Sequence, residues 1–149
     1  MGILEKLKGL GGRLLGIRRG VGLNTLRVGR WGESRAAAYL KQEKGMRVLV
    51  RNWKQGRDEL DLVCLQGEVL VFVEVKTRKS AVAGSGYHAV DRRKKRALRR
   101  VCKVYMSQLP KGPRHFRFDI VEVISGSDGQ VRIHHFENIK LFSKHYHWQ

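Results

Sequence analysis

The alternation of apolar and polar positions divides most of the chain into helices and strands. Ala36, Ala37 and Ala38, with Leu40 as an apolar contact and Gly45 as the stop, predict a helix from Trp31 to Lys44, because alanine is the strongest helix former and glycine readily ends one. Met46 to Trp53 reads as a strand, with Val48 and Val50 alternating against Arg47 and Leu49. Two apolar runs follow, Leu60 to Leu65 and Val69 to Thr77, joined by a turn containing Gln66-Gly67-Glu68 that is short enough for a hairpin. The second run is the most hydrophobic and so belongs at the centre of a sheet. Ser80 to Gly86 is a Gly/Ala/Ser loop. Ala89 to Gln108 is a long helix with an apolar stripe of Val90, Ala97, Val101, Val104 and Tyr105. Pro110-Lys111-Gly112-Pro113 breaks the chain. Phe116 to Ile124 and Val131 to Phe136 then pair as strands across Ser125-Gly126-Ser127-Asp128-Gly129. The order α-β-β-β-α-β-β predicts an α/β fold, a mixed sheet of about five strands flanked by helices.

Charge interrupts the two central strands. Glu59-Leu60-Asp61 and Glu74-Val75-Lys76 sit in runs that read as buried, where a charge is costly unless it is paired or binds a metal. Alternate residues of a strand share a face, so Glu59 groups with Asp61 and Glu74 with Lys76. The hairpin brings the two pairs together. Carboxylates converging beside a lysine are the basic equipment for a magnesium-dependent attack on phosphate.

Composition points to the same class of partner. The 31 Lys and Arg against 13 Asp and Glu give +18, well beyond what solubility requires, and a polyanion is the plain explanation. Nucleic acid is the first candidate, and an anionic membrane surface the second. Arg92, Arg93, Lys94, Lys95, Arg96, Arg99, Arg100 and Lys103 crowd the second helix, where like charges a turn apart repel unless they face a polyanion. They read as a phosphate-backbone track, with Arg78 as a further contact. At 149 residues the chain suits one domain, divided as a basic arm over 1–28, a core over 29–142 and a tail over 143–149. In the arm Ile3, Leu7, Leu10, Leu14 and Ile17 recur at helical spacing among cations, an amphipathic pattern weakened by glycines and suited to nucleic acid, a partner or a membrane surface. No segment has the continuous apolar length of a transmembrane helix or a secretory signal. Cys64 and Cys102 lie in apolar stretches without close partners. They read as buried hydrophobes in a reducing compartment, so a cytoplasmic location is expected.

A family resemblance rests on five ordered segments. These are Gly29-x-x-Gly32-Glu33 leading into Ala36-Ala37-x-Tyr39-Leu40; Glu59-Leu60-Asp61-Leu62-Val63; Phe72-Val73-Glu74-Val75-Lys76-Thr77-Arg78; Ala89-Val90 with Lys94; and Arg117-Phe118-Asp119-Ile120-Val121. Together they resemble the bacterial YraN-type family, similar in turn to the PD-(D/E)XK nuclease superfamily and, in function, to archaeal Holliday-junction resolvases. The resemblance implies a restriction endonuclease-like core and Mg²⁺-dependent endonuclease activity, with Mn²⁺ as a substitute. It makes Asp61 the metal-binding aspartate, Glu74 the second carboxylate ligand, Lys76 the motif lysine and Glu33 the first-helix acid and a further ligand. Glu59 matches the acid preceding the aspartate. Leu60 stands where the superfamily name expects proline, and Asp58 where the family pattern has glycine. A homodimer is implied by analogy, since two cuts across a junction need two sites.

Other readings compete with this one. A non-catalytic nucleic-acid-binding module would keep the same fold, with the acids in structural or regulatory roles. Glu74 and Lys76 as an ordinary same-face ion pair need no metal, and Asp119 is expected to pair with Arg117 or a cation of the second helix. His134 and His135 point to opposite faces of a strand, and His145-x-His147 lies in the tail, so neither pair is assigned a metal. Trp31 and Trp53 are expected in the core.

Overall fold

The structure is a computed structural model, and it describes residues 23–79 and 90–148. The arm through residue 22 and the loop expected over 80–86 lie outside the described residues. The elements are α1 (Leu23–Gln42), β1 (Arg47–Gln55), β2 (Asp58–Gln66), β3 (Val69–Lys79), α2 (Arg92–Ser107), β4 (His115–Ser125) and β5 (Val131–Phe136). Their order is the one read from the sequence. The boundaries differ most at α1, which begins at Leu23 and so takes in residues assigned to the arm. Helix α2 begins later than expected because Asp91 caps it, its carboxylate accepting the Lys94 N–H at 2.7 Å.

The five strands form one sheet in chain order. Pairing is antiparallel except between β3 and β4, which run parallel through the α2 crossover. Strand β3 is central, and its Leu70 to Val73 are buried. Each sheet face carries its own core. On one, Phe72, Val63, Phe118 and Ile120 pack against Leu98, Val101, Cys102, Tyr105 and Met106 of α2. On the other, Leu62, Val71, Val73, Val121 and Val123 pack against Ala36, Ala37 and Leu40 of α1. The result is a three-layer α/β/α arrangement with a restriction endonuclease-like order of elements. The α2 stripe differs from expectation. Leu98, Cys102 and Met106 are buried, while Ala97 and Val104 are only half-buried.

Trp53 is buried and Trp31 half-buried. His135 and His134 do face opposite sides of the sheet, pairing with Val121 and Glu122 respectively. His135 joins a polar cluster behind the sheet, where fully buried Asp119 takes Nε2 of His135 at 2.9 Å, Nε of Arg117 at 3.0 Å and the Asn138 N–H at 2.9 Å. Burial pushes the Asp119 carboxyl up, but these three donors outweigh it and hold the group below its usual range. This network ties β4 to β5 and to the chain beyond it.

Candidate active site

The two acidic segments meet where β2 and β3 part. Their ladder runs from Gln66–Val69 to Leu62–Val73, and the next residues on each strand are Asp61 and Glu74. The β1–β2 ladder also passes over this point, pairing Arg51 with Leu62 and Trp53 with Leu60 but not Asn52 with Asp61. In place of a ladder bond, Oδ2 of Asp61 accepts the Val75 N–H at 2.8 Å. Glu74 is 3% exposed, and its Oε1 faces two ammonium groups, Nζ of Lys76 at 2.9 Å and Nζ of Lys94 at 3.1 Å. Its Oε2 is buried with no hydrogen-bond partner. A buried carboxylate oxygen without a donor is costly, and such an atom calls for an explanation.

Electrostatics single out Asp61. Burial, then the charges of Glu74 and Glu33, push its carboxyl up to about 7, against the opposing hydrogen bond from Val75. For Lys94 burial works against the ammonium, but Glu74, Asp61 and Glu59 outweigh it and hold the pKa above its usual value. Asp61 is therefore poised between protonation states near neutral pH. Strongly shifted acids beside a charge partner cluster at functional sites.

Helix α1 supplies Glu33. The turn carrying it lies close to β3 because Gly32 has no side chain, and a Cβ there would collide with Oγ1 of Thr77. Glu33 Oε2 accepts the Asn52 amide at 2.7 Å. Glu59 is turned toward Lys54 at 3.6 Å, so it contributes field at the rim of the site. Asp58 takes the Arg100 guanidinium through both oxygens, at 2.6 and 2.8 Å, which holds the Asp58 carboxyl below its usual range and fastens α2 to the start of β2. Leu60 is buried and paired with Trp53, so a side chain of the α2-side core stands where the superfamily name has proline.

Among the described residues no three His, Cys, Asp or Glu side chains are grouped closely enough to hold a metal ion as they stand. The donor set nevertheless fits a hard divalent cation. Asp61 and Glu74 offer carboxylate oxygens, the hard donors such an ion prefers, and Oε2 of Glu74 is buried and unpartnered. With an ion bound, Asp61 and Glu74 would hold it, with Glu33 as the further acid.

The basic track is narrower than its sequence suggests. Lys94 points into the site and Arg100 is committed to Asp58. Lys103 lies over the Tyr146 ring at 4.6 Å, and Arg99 reaches the Leu141 carbonyl at 3.4 Å. Arg92, Arg93 and Arg96 are exposed and Lys95 is half-buried. Arg78 pairs with fully buried Glu122 at 2.8 Å. Sequence reasoning places Lys94 on the track and misses its part in the site. The available signal is its spacing, since 94, 98, 101 and 105 share the buried side of α2. Asn52 is missed too, and nothing in the residue pattern marks it.

Residues 32–123 match the family described as "Uncharacterised protein family UPF0102". The chain is 41% identical over 109 residues to a UPF0102 protein of Parafrankia sp., covering 73% of this chain and 92% of the relative. It is 42% identical over 112 residues to one of Symbiobacterium thermophilum, covering 75% and 94%. A UPF0102 protein of Pelotomaculum thermopropionicum is likewise 42% identical over 112 residues, covering 74% and 92%.

Proposed function

Because the chain belongs to UPF0102, the uncharacterised YraN-type family, we propose its activity from the site itself: divalent-metal-dependent hydrolysis of phosphodiester bonds in nucleic acid, with structured or branched DNA as the substrate. The observation that carries this is the buried, unpartnered Oε2 of Glu74 beside Asp61, at a break between strands, with two lysines on the other oxygen. A merely structural ion pair has no need of a buried, empty oxygen.

When bound, Mg²⁺ or Mn²⁺ supplies Lewis acidity at the phosphoryl group and a lowered pKa for water. The chain's own residues do the rest. Asp61 and Glu74 fix the ion's place relative to the strand break. Lys76 orients the attacking water and stabilises charge that builds on the phosphoryl oxygens. Lys94, which faces Glu74 from α2, would keep its ammonium inside the site and stabilise charge developing in the transition state. The exposed arginines of α2 bind the backbone on either side and contribute affinity more than sequence selectivity. In-line attack by water leaves a 5′-phosphate and a 3′-hydroxyl.

A second reading is favoured by one observation. Glu74 already meets two cations, so the same cluster also suits a non-catalytic nucleic-acid-binding module. Labelled four-way junction, flap, single-stranded and duplex substrates, incubated with Mg²⁺ or Mn²⁺, separate the two. Wild type is expected to cut at least one substrate, and Lys76→Ala, confirmed folded, to lose at least about 100-fold in rate. Binding without cutting in either metal would instead establish the module.

A further inference from the structure

We infer that Asn52 is a positioning residue that aims the Glu33 carboxylate at the Asp61–Glu74 site. This rests on the metal-dependent reading above. Asn52 lies within β1 yet has φ +49°, a left-handed conformation that non-glycine residues seldom adopt and that concentrates at functional sites. The chain uses glycine at Gly45, Gly56, Gly67 and Gly129, where φ is also positive. If the backbone shape alone mattered at 52, glycine would serve better. What asparagine adds is its amide, and that amide donates to Glu33 at 2.7 Å.

The surrounding geometry gives the contact a purpose. The β1–β2 ladder keeps its register across this point but leaves out the Asn52–Asp61 pair, so Asn52, turned toward α1, and Asp61 opposite it both stand outside the regular pairing. On its other side the Glu33 turn is wedged by the close approach of Gly32 to Thr77. Glu33 is thus held between β1 and β3, and its charge is felt at Asp61. The other positive-φ asparagine, Asn138, lies beyond β5 and uses its backbone N–H on Asp119, so its conformation serves a different network.

The test separates shape from amide. Asn52→Gly keeps the left-handed backbone and removes the donor, so its Tm should match or exceed wild type. Its Mn²⁺ affinity, read by calorimetry on the full chain, should fall about tenfold, as for loss of an outer-shell hydrogen bond. The cleavage kcat should fall with KM for DNA unchanged, and both losses should vanish in a Glu33→Gln background. Asn52→Asp also tolerates the left-handed region and serves if glycine loosens β1; it should lose at least as much, because it sets a carboxylate against Glu33. Unchanged Mn²⁺ affinity and kcat in both variants, with wild type active, would overturn the inference alone. A wild type that takes up no Mn²⁺ and cuts nothing overturns the metal-dependent reading, and this inference falls with it.

Discussion

Asp61 shows how one residue couples stability to chemistry. Its carboxyl is raised to about 7 from an ordinary 3.8, so between those values the folded chain binds a proton that the unfolded chain releases. Metal-free protein should therefore lose stability as pH rises from 4 to 7 and level off above. Asp61→Asn keeps the acceptor for Val75 without the charge. At pH 8 it should be more stable by about 2 kcal/mol, a rise of several degrees in Tm, while losing metal binding. A scanning calorimetry series from pH 5 to 8 on both proteins checks this, and a parallel slope in the variant would refute it. Metal uptake by wild type should release protons near neutrality, which titrations in buffers of different ionisation enthalpy will detect. Behind the sheet, Asp119→Ala takes from the Arg117 cation, which is 17% exposed, its nearest carboxylate and leaves it only Gln66 and the more distant Glu137. That should cost about 3 kcal/mol in urea unfolding with little change in the site.

At the scale of elements, the site depends on how two helices are fastened to the sheet. Helix α1 is set by Gly32 against Thr77, where an added Cβ would run into Oγ1. Gly32→Ala should thus lower stability by about 1–3 kcal/mol despite alanine's better helix propensity. Thr77→Ala removes the nearest atom and should restore part of the stability; two strictly additive effects would argue against the contact. Helix α2 is fastened by the Arg100–Asp58 pair, which gives the departure at Asp58 a structural purpose. The buried side of α2, Leu98, Val101, Cys102, Tyr105 and Met106, decides which face looks inward, and Lys94, one turn before Leu98, reaches Glu74 from it.

For the whole molecule, the +18 charge translates into a salt-dependent affinity whose slope reflects how many phosphates the protein neutralises. Replacing Arg92, Arg93 and Arg96 by alanine should reduce the slope of log K against log salt by about 0.9 for each phosphate no longer neutralised. Lys94→Met should leave that slope nearly unchanged and strike the cleavage step, because its ammonium is already inside the site. Equal effects of the two changes on slope would return Lys94 to the backbone track. Among the described residues no helix is long and apolar enough to cross a membrane.

Element order, the central place of β3 and the meeting of Asp61 with Glu74 and Lys76 were all legible in the sequence. Each follows from local rules: periodicity sets helix or strand, alternation sets the face, and a short turn brings two strands together. The helix limits were less legible, since α1 reaches back to Leu23 through a basic stretch with no strong apolar stripe. The Asp119–Arg117 pair was expected from the sequence and is present. The meeting of Lys94 with Glu74, the left-handed backbone of Asn52 and the His135 and Asn138 contacts of Asp119 were decided by the tertiary structure. They depend on the rotation of α2 about its axis, a single left-handed residue in β1 and the parallel docking of β4. These are set by packing between elements distant in sequence, where no periodicity records which side chain will meet which.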